Sequence, residues 1–142
     1  MKVLLDTNVL SEARRPAGNP LVRERLAAMS EEDQFISAIS IGEIAFGIAR
    51  LKPGKRRREL EGWLGQAEQH FAEHILPIDR DIARLWGDLT ARTASRGRTL
   101  HVADGLIAAT ALHHGLRLMT RNLADFQSTG VLLINPWLDT ST

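Results

Sequence analysis

The chain contains no cysteine, which excludes a disulfide framework and any thiolate metal site. It contains no tyrosine, and aromatic residues make up only 5%. A stacking platform of the single-strand-binding type is therefore not expected. No apolar run approaches the roughly 18 residues of a membrane span. The amino-terminal Val3-Leu4-Leu5 meets an acid at once, unlike the apolar core of a signal peptide. No glycine-rich phosphate loop is present. The histidines (His70, His74, His101, His113, His114) show no metal-ligand spacing. Net charge is only +1, so neither sign dominates. There is no internal repeat or low-complexity segment. What remains is a cytoplasmic protein with one domain spanning residues 1–142.

The remaining pattern alternates strands and helices. Short apolar runs at 2–5, 34–38, 74–77, 117–119 and 131–134 read as strands. Helices are expected at 8–13, 20–29, 40–51, 55–72, 79–97 and 102–114. Asn19 caps Pro20 at a first helical position, and Gly115 stops the last helix. Helix 40–51 is apolar on nearly every face and is expected to be well buried, with Ser40 as its cap. The alternation argues a three-layer α/β/α fold with a mostly parallel central sheet. In such sheets ligands bind beyond the carboxyl ends of the strands.

Four acids map to that edge: Asp6, Glu43, Asp104 and Asp125. Each also has a purely structural reading. Asp6 suits an Asx turn. Ser40-Ile41-Gly42-Glu43 has the pattern of a capping box. Asp104 complements a helix dipole, and Asn122 with Asp125 suits a short helix cap. Two details favour function. Glu43 is the only acid between 35 and 51, and Asp104 is the only one between 102 and 112. Two carboxylates about 4 Å apart repel by roughly 4 kcal/mol at an effective dielectric of 20. A cluster of four calls for a cation, and all-oxygen ligands suit Mg²⁺ or Mn²⁺. Such an ion activates water and orients a phosphate ester. Asn8, Thr120 and Asn122 are neutral groups placed to orient the acids or a water; turn and cap chemistry would use them equally well.

A basic segment carries Lys52, Lys55, Arg56, Arg57 and Arg58. Cations oppose the dipole at a helix start, so Lys55 to Arg58 are candidates for phosphate contacts, against the plainer reading of a solvated helix end.

The ordered set resembles the PIN-domain family, specifically the VapC/FitB type of toxin ribonuclease from bacterial toxin–antitoxin modules. Its parts are Leu4-Leu5-Asp6-Thr7-Asn8, Glu43 within Ser40-Ile41-Gly42-Glu43-Ile44, Asp104 within Val102-Ala103-Asp104-Gly105-Leu106-Ile107, Thr120-Arg121-Asn122-Leu123-Ala124-Asp125-Phe126, and Leu133-Ile134-Asn135-Pro136-Trp137. The resemblance implies a Mg²⁺- or Mn²⁺-dependent endoribonuclease using metal-activated water. Asp6, Glu43 and Asp104 match the core acids, and Asp125 matches the fourth. It also implies a homodimer and a cognate antitoxin. Gly105 stands where the family often has alanine. Three other readings compete. One is a PIN-like RNA-binding module without catalysis, against which the intact acid set argues. A response-regulator phosphoacceptor needs paired acids after the first strand, where only Asp6 stands. A haloacid-dehalogenase-type phosphatase needs an acid at Asn8.

Overall fold

A computed structural model describes residues 1–138, so the last four residues of the expected 1–142 domain lie outside the described region. The strands are β1 (Val3–Leu5), β2 (Gln34–Ser37), β3 (Ile75–Leu76), β4 (Arg117–Met119) and β5 (Leu133–Ile134). The helices are α1 (Thr7–Arg14), α2 (Pro20–Ala28), α3 (Ala38–Ala49), α4 (Lys55–Phe71), α5 (Arg80–Ser95), α6 (Val102–His114) and the single turn α7 (Leu123–Phe126). The sheet order is β3-β2-β1-β4-β5, and every pairing is parallel.

Alternation along β1 builds the layers. Leu4 packs on one face with Ile82, Leu89, Ile107 and Leu118, which places α5 and α6 there. Val3 and Leu5 point to the other face and pack with Val9, Leu10, Val22 and Ile36, which places α1 and α2 there. This is the expected α/β/α sandwich. Strand order turns at β1, whose neighbours are β2 and β4. The crevice between the carboxyl ends of β1 and β4 is therefore the topological switch point.

The helix starts follow local chemistry. Asn19 Oδ1 accepts the Leu21 N–H at 2.9 Å, with Pro20 at the first helical position. Asp79 Oδ1 accepts from Ile82 N at 2.9 Å. Gly115 closes α6 at φ 66°, in the left-handed region that glycine enters without penalty.

Two expectations fail at α3. The helix begins at Ala38, capped by Ser37, whose Oγ accepts from Ile39 N at 3.1 Å. Ser40 lies inside the helix and is fully buried. The cap follows directly from the end of β2, leaving Ser40 one turn too late for that role. The helix is also not well buried: only Ser40 and Ile48 are, and Phe46 is 59% exposed. Ile39 reaches one core cluster and Ile41 and Ile44 the other. No described element covers the remaining apolar side.

Candidate active site

Asp6 leaves the end of β1 and caps α1. Its Oδ1 accepts from Thr7 N at 2.8 Å. Its Oδ2 accepts from the Thr120 hydroxyl at 2.7 Å and from Asn8 Nδ2 at 3.4 Å. Three of roughly four lone-pair positions are thus filled by the protein. The Asx-turn expectation holds in form, yet the residue is only 5% exposed and receives far more than a cap requires. Thr120 directly follows β4 and is fully buried; its Oγ1 also accepts from Asn122 N at 3.1 Å. Asn8 Oδ1 in turn accepts from Arg121 N at 3.4 Å. Asn8 and Thr120 therefore hydrogen-bond Asp6, and Asn122 joins them through its backbone.

Glu43 is not part of a capping box. With the helix starting at Ala38, Glu43 lies in the second turn, and its Oε1 accepts from Thr7 Oγ1 at 2.7 Å. Thr7 and Ser40 share a further hydrogen bond at 2.9 Å. A hydroxyl has one proton and a carboxylate only accepts. Thr7 therefore donates to Glu43, and Ser40 donates to Thr7. This chain ties α3 to the end of β1. Thr7 is adjacent to Asp6 in the sequence, but its partner 36 positions away is visible only in the fold.

Asp104 lies in the first turn of α6, half-buried, on the same wall. Asp6, Glu43 and Asp104 line one cavity of about 430 Å³, together with Arg15, Arg121 and Trp137. Asp125, on α7, lies outside that cavity. It lines an adjoining one of about 280 Å³ with Arg98, His101 and Asp104. The side chain of Asn122, the N-cap of α7, makes no capping bond, so the short-cap reading of Asn122 and Asp125 fails.

The electrostatics are those of confined like charges. Burial, then the charges of Asp6, Asp125 and Glu43, push the Asp104 carboxyl up to about 6, with His101 opposing. Burial also raises Asp6, against the pull of its Thr120 and Thr7 hydrogen bonds, and Glu43 and Asp125 add to the rise. Asp6 and Asp104 thus feel the charges of Glu43 and Asp125 across both cavities.

Among the described residues, no three carboxylate or imidazole groups already converge as a complete ligand set. A hard divalent ion does not require one. Mg²⁺ keeps several waters and takes one or two carboxylates directly. The donor set fits such an ion: oxygen only and negatively charged, with Asp6 buried, Asp104 half-buried, and Glu43 and Asp125 open to solvent.

The basic segment opens α4 as expected. Lys55 pairs with Glu59 at 3.9 Å, and Arg57 pairs with Glu61 at 3.0 Å. Arg56 lines a cavity that Glu43 and Thr7 also border. Arg58 is not directed there by any described contact.

The chain belongs to the PIN-domain family, whose model matches residues 3–131. It is 38% identical over 136 residues to VapC ribonuclease Y4jK of Sinorhizobium fredii, covering 95% of this chain and 97% of that one. Its fold superposes on FitAB bound to an IR36 DNA fragment with a TM-score of 0.90, at 36% identity and 99% coverage of both chains. A toxin–antitoxin complex from Klebsiella pneumoniae matches at a TM-score of 0.72 and 28% identity, covering 95% of this chain and 98% of that one.

Proposed function

We infer that this protein is a divalent-metal-dependent endoribonuclease and the toxin of a toxin–antitoxin pair, acting in the cytoplasm. The observation that carries the reading is the shared wall of Asp6, Glu43 and Asp104, where burial and then neighbouring carboxylate charge raise the pKa values of Asp6 and Asp104. The ribonuclease name of one relative and the toxin–antitoxin complex of another support it. Asp6, Glu43 and Asp104 would hold Mg²⁺ or Mn²⁺, with Asp125 joining from the adjoining cavity. The ion would neutralise the acids, polarise the phosphodiester and make a water acidic enough to attack. The chain's own part is positioning. Thr120 and Asn8 fix the rotamer of Asp6, and Thr7 fixes Glu43. Arg56, beside Glu43, is the best placed of Lys55, Arg56, Arg57 and Arg58 to meet RNA phosphate.

The partners follow from the same reading. A cognate antitoxin would restrain the nuclease. A second copy of the chain would cover the open side of α3, where Phe46 stands exposed and a Cβ on Gly42 or Gly47 would meet nothing within 4 Å.

The test is RNA cleavage by purified, antitoxin-free protein in Mg²⁺, in Mn²⁺ and in EDTA. Cleavage should require the ion and disappear in Asp104→Asn, which keeps the shape and removes the charge. Undiminished cleavage in EDTA would sink the metallonuclease reading.

A further inference from the structure

The closing motif Asn135-Pro136-Trp137 has no part in the acid site as built so far. In the fold it forms a turn after β5. Trp137 N donates to Asn135 Oδ1 at 2.9 Å, and Leu138 N donates to Asn135 O at 3.2 Å. Pro136 is buried beneath it. The turn brings a half-buried indole into the wall of the cavity that holds Asp6, Glu43 and Asp104. The Arg121 guanidinium lies over that indole, 5.4 Å from the ring centroid.

Arg121 differs from the other cation of this cavity. Arg15 is committed to Glu12 at 3.2 Å. Arg121 has no acidic partner among the described residues. Its backbone is pinned to the site, since Arg121 N donates to Asn8 Oδ1 and both neighbours, Thr120 and Asn122, belong to the Asp6 network. An exposed cation and a flat aromatic ring therefore share one mouth of a carboxylate cavity. Acids alone repel RNA; this pair supplies the two surfaces that attract it, charge for the phosphate and a π-face for the base.

We propose that Arg121 and Trp137 form the nucleotide-binding element of the active-site cavity. A base next to the scissile phosphate stacks on the indole, and the Arg121 guanidinium swings from the ring to the neighbouring phosphate. This is one ring at the mouth of the site, not the row of rings that the low aromatic content argues against. It selects unpaired RNA, because a base inside a duplex cannot present its face to a side chain. The inference rests on the ribonuclease reading above and names the residues that hold its substrate.

The test reads Trp137 directly. The chain has three tryptophans, Trp63, Trp86 and Trp137. Trp63→Phe with Trp86→Phe leaves Trp137 as the only indole, and Asp104→Asn added to these stops cleavage. This protein is titrated in Mg²⁺ with a single-stranded RNA oligomer and, separately, with an abasic oligomer of the same length. Base-bearing RNA should quench the emission saturably, and the abasic chain should bind without quenching. In a parallel binding assay on Asp104→Asn protein, Trp137→Leu should weaken RNA affinity on the order of tenfold to a hundredfold. Trp137→Phe should keep most of it. Melting curves show whether each variant is folded, and the quenching arm stands even if Trp137→Leu is not. If the wild type cleaves RNA but Trp137 emission does not respond, the pair is part of the core and the ribonuclease reading survives alone. A protein that neither binds nor cleaves RNA overturns both.

Discussion

Helices α3 and α6 read almost alike in the sequence. Each is apolar along most of its length and carries one isolated acid, Glu43 in the first and Asp104 in the second. In the fold they part. In α6, Gly105 and the run from Ile107 to Ala111 are buried against α5 and the sheet. In α3 only Ser40 and Ile48 are buried, and Ala45, Phe46 and Ala49 face outward. The same composition thus gives a core helix in one place and an uncovered surface in the other. The difference lies in the neighbours: α5 packs closely along α6, whereas α4 flanks α3 on one side and leaves Phe46 uncovered. Apolar periodicity reports that a face seeks cover and does not say whether the same chain supplies it.

The largest expected effect comes from charging the open helix. If a second copy covers α3, Phe46→Glu should weaken self-association by about thirtyfold or more, the scale of a lost interface hot spot of about 2 kcal/mol. Sedimentation across a dilution series measures it. An unchanged oligomeric state would show that α3 is covered by something else.

Glycines sharpen the contrast next. A Cβ on Gly105 would meet Trp86 Cδ1 at 2.7 Å and Nε1 at 2.9 Å, so the bare Cα is what lets α5 and α6 close. This explains the glycine where the family often carries alanine. Gly105→Ala should cost about 1–3 kcal/mol through overpacking, read as a loss in denaturant midpoint. Trp86→Phe should restore part of that loss. It sacrifices little polar bonding, since Trp86 Nε1 is buried without a hydrogen-bond partner. Gly47→Ala on α3 should go the other way, gaining up to about 1 kcal/mol from helix propensity, because nothing lies within 4 Å of its added Cβ.

The smallest effect is one of pH. Asp104 titrates near 6 in the folded chain against an ordinary value of 3.8. Between those values the folded state holds a proton that the unfolded state has released, so metal-free stability falls as pH rises. Its contribution is full below about pH 4 and gone above about pH 6. Melting temperature in EDTA should drop across that window, and the drop should shrink in Asp104→Asn. Above pH 6, saturating Mg²⁺ should raise the wild-type melting temperature by linkage. A flat wild-type profile would mean that the acids do not confine one another.

Much of this is legible in the sequence. The strands announce themselves as short apolar runs, and Asn19-Pro20, Asp79 and Gly115 mark helix ends by rules that act within a few residues. Asp6, Glu43, Asp104 and Asp125 stand out because an acid in apolar surroundings is costly without a partner. Other features were not legible. Ser37 and Ser40 are equally good caps, and only the length of β2 decides between them. Asp125 reads as a fourth member of one cluster, but the short helix that carries it places it in a neighbouring cavity.

The sequence by itself determined the alternation of elements, with the mostly parallel sheet that alternation implies, and the residue types available at the sheet edge, because turn, cap and periodicity signals are local. Tertiary structure alone decided that Thr7 bridges Ser40 and Glu43, that Gly105 accommodates Trp86, and that Trp137 closes the wall of a cavity begun at Asp6. Each of these is a contact between residues far apart in the chain. Such contacts depend on how whole layers pack, and no window of neighbouring residues encodes them.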